Sequence, residues 1–496
     1  MKVRLKRSLY LVHRWFGVGM CALFAMWFAT GIVMMYVEYP ELTEEERLAA
    51  LPPLDFARVA VSVDEAIAAG GLEGEVATVA LSAIGTRAAY QIRSEAGRVA
   101  VVYADDGSRF AGDATAALEA VQRSGFAAKG ALATYDGVVD VDQWTVSAVL
   151  DEHRPLHRVA IGDALGTVVY VSGTTGQIVR DTHRTERFWN WLGSTLHWLY
   201  PYQLRRHADL WANLQIYLSV ASIVSVATGA VIGALRLRLR RPYRGRDASP
   251  YAGAAKWHHV LGLLSLVFLA TFTFSGLMSM TPWGLFDSAS SEAEQVRRYV
   301  RDGEGDVTDW TRIDAAAIAR GGVKEVEWRR VAGLTHAVVS RAAGDREVLI
   351  DGMQGEAALR KVRARIETAA PALVADARIV NAALVTEFDD YYYTRHNRYR
   401  PLPVYRVEFD DPESTWFYVD WTTGAVVLRY TAATRVQRWL YNGLHSLDFS
   451  FLTRRGVTWD VTVIVLCCAG FGFASTAVVV GWRRVARARH HAANSH

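Results

Sequence analysis

The motif His13-Arg14-Trp15-Phe16-Gly17 opens the first long apolar run of the chain. At a shift of 245 residues, His258-His259-Val260-Leu261-Gly262 opens another. A second set, Trp191-Leu192, Leu196-His197 and Leu199, returns as Trp439-Leu440, Leu444-His445 and Leu447 at a shift of 248. Tyr170-Val171 and Thr174-Thr175-Gly176 recur at that shift as Tyr418-Val419 and Thr422-Thr423-Gly424, and Trp211 and Gly233 recur as Trp459 and Gly481. Gly31 follows Gly17 by 14 residues, as Gly276 follows Gly262. Agreement at one period across apolar and polar stretches is the mark of internal repetition. The chain therefore reads as a tandem duplication with a histidine at each of four positions beside apolar runs.

Those runs are long enough to matter. Trp15 to Val37 is 23 residues without a charge, enough to cross a hydrocarbon core of about 30 Å. It ends in Met34-Met35-Tyr36-Val37-Glu38 rather than a small-residue cleavage site, which predicts an uncleaved anchor. Further spans are expected at 211–235, 259–281 and 461–482. The mean hydropathy of +0.07 averages these runs with long polar segments. Basic residues cluster at Lys2, Arg4, Lys6, Arg7 and Arg14, again between Arg236 and Arg246, and again from Arg483 to Arg489. The positive-inside rule places all three clusters in the cytoplasm and the long polar segments outside, in the periplasm if the host is a bacterium.

The expected organisation is an anchor and first transmembrane helix at 1–37, a periplasmic module at 38–187, and an amphipathic segment with the second helix at 188–235. A basic cytoplasmic loop follows at 236–256 and a third helix at 257–281. A second periplasmic module covers 282–437, then an amphipathic segment with the fourth helix at 438–482 and a basic tail at 483–496. Each module reads as α+β. Strands are expected at 76–81, 88–92, 99–103, 168–171, 323–330, 336–340, 347–351, 404–409 and 416–420, and helices at 63–69, 114–125, 313–319 and 357–368. Cys21, Cys467 and Cys468 all lie in apolar runs, so no disulfide framework is expected in the modules.

A histidine at membrane depth is costly and usually functional. Low-spin haem of the b type needs two imidazoles on opposite faces of its iron, and repeats supply ligands in pairs. His13 and His258 each start a span, while His197 and His445 each stand just before one. The symmetric pairing is His13 with His258 and His197 with His445, which gives two haems, one toward each face. No Cys-x-x-Cys-His motif is present, so haem b would be held without covalent links. The repeat alignment selects His258 over His259. His207 faces Arg455 across the repeat and is a weaker candidate. His153, His157, His183, His336 and His396 read as surface residues. Gly17, Gly31, Gly229, Gly233, Gly262, Gly276 and Gly481 fit close helix packing or room for a macrocycle. Trp15, Trp198, Trp211, Trp257, Trp283 and Trp459 fit an interfacial belt. Arg206 and Arg454, equivalent across the repeat, suit haem propionates, an anionic substrate or lipid headgroups. No Gly-x-Gly-x-x-Gly dinucleotide fingerprint follows a strand.

The chain resembles the PepSY-associated transmembrane-helix family. The resemblance is carried by His13-Arg14-Trp15-Phe16-Gly17, Leu196-His197, Leu444-His445, the stretch Arg400-Pro401-Leu402-Pro403-Val404-Tyr405-Arg406-Val407, and Tyr418-Val419-Asp420-Trp421-Thr422-Thr423-Gly424. The first copy departs from the family signature at Ser172, where Asp is usual, and His157 interrupts the Pro-Leu-Pro pattern. Trp421 stands where Pro is common. The resemblance implies an integral membrane α-helical protein of the bacterial inner membrane, with four transmembrane helices and two periplasmic PepSY-like α+β modules. It also implies a haem-dependent reductase that takes a ferric siderophore or other ferric chelate to Fe(II). The donor would be external, a quinol or a cytoplasmic flavoprotein, and nothing points to nucleic acid. Aromatic residues Tyr391, Tyr392, Tyr393, Trp416 and Trp421 are candidates for a docking surface or for core. The rival expectation is a non-enzymatic sensor or peptidase regulator with structural histidines. A transporter is disfavoured because the spans carry no buried charged residue.

Overall fold

A computed structural model describes residues 3–127, 131–243, 247–301, 318, 321–394, 398–454 and 456–493. The chain forms two units. One comprises 1–39, 188–287 and 434–496, and the other 40–187 and 288–433. The helix expected at 313–319 falls, Ile318 apart, outside the described residues, as does His396.

In the apolar unit, helices α1 (Val3–Met34), α2 (Ala208–Arg236) and α5 (Val457–Ala493) are long and apolar enough to cross a membrane. The remaining expected span is divided into α3 (Ala254–Leu264) and α4 (Leu266–Ser279), which meet at Ser265 with a bend of 72°. Among the described residues the unit therefore has three candidate spans, or four when the bent pair is one. Hydropathy does not register such a break, because the run stays apolar and contains no proline. Proline-free kinks gather at Gly and Ser, and here Gly262 precedes Ser265. A Cβ on Gly262 would stand 2.9 Å from the Phe473 ring. Met20, Phe24 and Phe28 of α1 pack with Leu269 of α4 and with Val463, Cys467 and Ala474 of α5. Gly470 makes this packing possible, since a Cβ there would lie 2.6 Å from three Phe28 ring atoms.

The approaches to α2 and α5 share a distortion. The helix Arg184–Asn190 widens into a π-turn at Trp191–Thr195, and Ala432–Arg438 widens into one at Trp439–Gly443. A leucine at positive φ follows each, Leu199 at 49° and Leu447 at 54°. Single π-turns are rare and favour functional sites. Both occur at the 248-residue shift.

Among the described residues, the polar unit is built on three antiparallel sheets. Strands β1 (Val76–Ile84), β2 (Arg87–Ser94) and β3 (Val99–Tyr103) come from the first segment. From the second segment come β8 (Glu325–Val331), β9 (Leu334–Ala342), β10 (Asp345–Ile350) and the short β11 (Met353–Gln354). They form one seven-stranded sheet in the order β11-β10-β9-β8-β1-β2-β3. Val79 faces Trp328 and Leu81 faces Val326 across its centre. The segments drawn as separate modules, 38–187 and 282–437, thus share a sheet. The three-strand piece from the first segment and the four-strand piece from the second each leave an open edge, and pairing β1 with β8 satisfies both edges.

The other sheets stay within their segments. One is β4 (Ala133–Val139), β5 (Leu156–Ile161), β6 (Val168–Ser172) and β7 (Ile178–Thr182). Its counterpart is β12 (Ile379–Val385), β13 (Val404–Phe409), β14 (Trp416–Asp420) and β15 (Val426–Tyr430). Helices Ala114–Arg123 and Glu356–Ala369 pack into the cores beside them. Strands β4 and β12 escape the sequence pattern. Gly137 sits at a register shift in β4, and β12 carries the weak strand formers Asn381, Ala382 and Ala383. His157 pairs with Val171 as Tyr405 pairs with Val419, so its counterpart is Tyr405, not a residue of the Pro-Leu-Pro stretch. Tyr392, Val404 and Tyr418 form a buried cluster with Tyr391 and Trp416 against it, and Trp421 packs on the neighbouring core; these aromatics are core.

Two histidines expected at the surface are buried. His157 bonds Tyr135 Oη through Nδ1 and the Gly112 carbonyl through Nε2, both at 2.9 Å. His336 is fully buried, and its Nε2 donates to the Thr423 carbonyl at 2.8 Å. Burial lowers the His336 pKa from 6.5 to about 4. The folded state therefore binds fewer protons than the unfolded chain between those values, and stability is lost as pH falls from about 6.5 to about 4. The full loss is about 3 kcal/mol from this group. Asp181, raised by burial to about 7, acts in the opposite sense. The difference between wild type and His336→Gln isolates the histidine. Protection of β9 amides from hydrogen exchange, corrected for the intrinsic rate at each pH, is expected to be lower at pH 5 than at pH 7 in the wild type and to change less in the variant.

Candidate functional site

The structure brings His13 of α1 to His258 of α3, with ring centroids 6.3 Å apart and planes at 32°. It brings His197 to His445 at 6.2 Å, with planes at 76°. The pairs occupy opposite ends of α1. His13 lies near its start, and Thr30, near its end, bonds His197. The 17 intervening steps amount to about 26 Å along the helix.

Each ring is anchored through Nδ1. His13 Nδ1 lies 3.1 Å from the Ser225 carbonyl and 3.5 Å from Thr228 Oγ1 on α2. His258 Nδ1 lies 3.5 Å from Thr476 Oγ1 on α5. His197 Nδ1 meets Thr30 Oγ1 of α1 at 2.9 Å, and His445 Nδ1 meets Ser275 Oγ of α4 at 3.1 Å. The pairs thus join the two halves of the chain, while every anchor comes from the same half as its histidine.

Small and aromatic residues shape the space around the rings. A Cβ on Gly229 would stand 2.7 Å from His13 Cε1. Those on Gly31 and Gly276 would stand 3.8 and 3.6 Å from Cε1 of His197 and His445. Phe473 stacks on His258 at 4.9 Å, and Phe272 lies 5.7 Å from His445. Indole N–H groups hold the backbone beside the second pair. Trp27 donates to the His197 carbonyl at 2.9 Å, Trp211 to Trp198 at 2.8 Å and Trp459 to Ser446 at 2.9 Å. Trp211 and Trp459 are therefore structural donors, whereas Trp15, Trp257 and Trp283 are exposed in the manner of a belt.

The remaining candidates separate clearly. Both nitrogens of His259 are engaged, Nδ1 with Ser249 Oγ at 2.8 Å and Nε2 with the Gly233 carbonyl at 3.0 Å. His207 is exposed and accepts from Arg206 Nε at 3.2 Å. Arg206 and Arg454 stand exposed at the ends of the short helices Tyr202–Arg205 and Ser450–Thr453. Arg205, which the sequence does not single out, lies over the rings of Tyr200 and Trp211 at 5.2 and 4.8 Å. The sequence reading also passes over Thr30, Thr228, Ser275 and Thr476. A signal was present, because Thr30 and Ser275 share the 245-residue shift and Thr228 and Thr476 share that of 248.

The spacing carries chemical information. An imidazole nitrogen binds a metal at about 2.0–2.1 Å. With the ring centre about 1.1 Å further back, two imidazoles on opposite faces of one ion put their centroids about 6.3 Å apart. Both pairs match. Two protein ligands leave a bare ion under-coordinated, and among the described residues no group of three or more His, Cys, Asp or Glu is placed to hold one. A metal that brings its own equatorial ligands, as haem iron does, needs just two.

Long apolar helices joined to a β-rich polar unit, with paired histidines among the helices, define a multi-pass membrane protein. The sequence matches the PepSY-associated TM region family over residues 10–484, and the chain belongs to that family. Comparison with curated proteins gives no match.

Proposed function

We propose that this PepSY-associated membrane protein is a dihaem electron-transfer protein, descended from a tandem duplication, that reduces a ferric chelate such as a ferric siderophore outside the membrane. The separation of the two histidine pairs carries the reading. The ring spacings of His13 with His258 and of His197 with His445, 6.3 and 6.2 Å, are those expected of axial ligand couples, and both couples draw one histidine from each half of the chain. Two non-covalent haem b groups at these sites would accept and pass on single electrons. The basic clusters orient the His13–His258 pair to the cytoplasm and the His197–His445 pair to the periplasm. The electron donor is then a quinol or a cytoplasmic flavoprotein, and the acceptor is the chelated Fe(III). One electron yields Fe(II), which hard anionic oxygens hold far less well, so no acid–base residue is required. Arg206 and Arg454 suit haem propionates or the anionic chelate.

Protein reduced with dithionite and freed of excess reductant is expected to reoxidise when mixed with a ferric siderophore in a stopped-flow instrument. Failure with every ferric chelate tried would exclude the reductase activity. The ring planes add a second expectation. Imidazole planes at 32° split the iron d orbitals more than planes at 76°, so the oxidised protein should give two distinct low-spin paramagnetic resonance signals.

A further inference from the structure

We infer that Thr30, Ser275, Thr228 and Thr476 are positioning residues that hold the four paired histidines in one tautomer, with the proton on Nδ1 and the lone pair on Nε2. This rests on the reading of those histidines as metal ligands and adds what prepares them for it.

A neutral imidazole has one donor nitrogen and one acceptor nitrogen, and the partner of one decides the role of the other. A hydroxyl carries a single proton. Thr30 Oγ1 directs its proton to its own helix, 2.8 Å from the Met26 carbonyl and 3.2 Å from that of Trp27. Toward His197 it can then only accept, so Nδ1 must be the donor. Ser275 repeats the arrangement, with its hydroxyl 3.2 Å from the Phe272 carbonyl and its oxygen facing His445 Nδ1. Thr228 donates to the Val224 carbonyl at 2.7 Å and Thr476 to that of Phe473 at 2.6 Å. His13 has a further constraint, because the Ser225 carbonyl beside its Nδ1 has no proton to give. All four networks therefore place the lone pair on Nε2.

Such back-bonds are common for Ser and Thr in membrane helices. Thr273, Thr462 and Ser475 make them as well. What sets the four apart is an imidazole Nδ1 at the remaining lone pair, at positions related by the repeat shifts. The contacts at the His197–His445 pair are the shorter, so Thr30 and Ser275 are expected to matter most.

The first test needs no metal. Full-length protein labelled with ¹⁵N-histidine, in detergent and free of haem, is expected to show His197 and His445 protonated at Nδ1. Thr30→Val keeps the shape, removes the oxygen and should move His197 toward the Nε2-protonated form. Thr30→Ser should restore the original signal, and Thr273→Val should leave it unchanged. Ser275→Ala tests the same point at His445 should Thr30→Val fail to fold. In haem titrations, Thr30→Val is expected to weaken one of two binding events by about 10–100-fold, the range for partners of metal-bound histidines. An Nε2-protonated His197 in the wild type, or Thr30→Val matching Thr30→Ser in both measurements, would overturn the inference. Correct tautomers in a protein that takes up no haem would instead overturn the ligand reading and leave the positioning role standing.

Discussion

Alanine at His13 or at His258 is expected to remove one haem and leave the other spectrally intact. The argument is local. The two rings stand 6.3 Å apart on α1 and α3, and neither belongs to the other pair, whose contact with α1 lies about 26 Å further along it. An iron deprived of one strong axial imidazole loses low-spin character and most of its hold on the protein. Alanine at His197 or His445 should remove the other haem. Combining one change from each pair should leave none. Retention of two haems in the single variants would show that these imidazoles are not the ligands.

Gly229→Ala is expected to reproduce the His13→Ala phenotype without touching a ligand. Its Cβ would stand 2.7 Å from His13 Cε1 and 3.2 Å from Nδ1, well inside contact distance. The ring would have to leave both its bond to the Ser225 carbonyl and its position opposite His258. Overpacking of this kind costs about 1–3 kcal/mol, and here the cost falls on one haem site. Gly472→Ala, in open space on α5, is the control and should bind haem as the wild type does. Haem content and the reduced spectrum of the two variants decide between them.

The histidines and their pairing were legible because repetition turns one ambiguous residue into four related ones. A single histidine beside an apolar run says little, but His13 and His258 at a shift of 245 and His197 and His445 at 248 restrict the partners. The long helices were legible from hydropathy for the same physical reason that membranes select them. The break at Ser265 was not, since the run stays apolar through it and contains no proline, and a glycine or serine such as Gly262 or Ser265 occurs in unbroken membrane helices as well as in bent ones. The pairing of β1 with β8 was also hidden. Alternation shows which residues face a core, but not which edge strand a distant strand will meet. The hydroxyl anchors were visible only in retrospect, because Ser and Thr in apolar helices ordinarily bond their own backbone.

The most direct test of the central claim is the haem-to-protein ratio of the detergent-purified chain, from pyridine haemochrome, with visible spectra of the oxidised and reduced forms. Two haems per chain with sharp reduced α and β bands is the predicted result. A colourless protein from haem-replete cells would contradict the account and favour a sensor or peptidase regulator in which the paired histidines are structural.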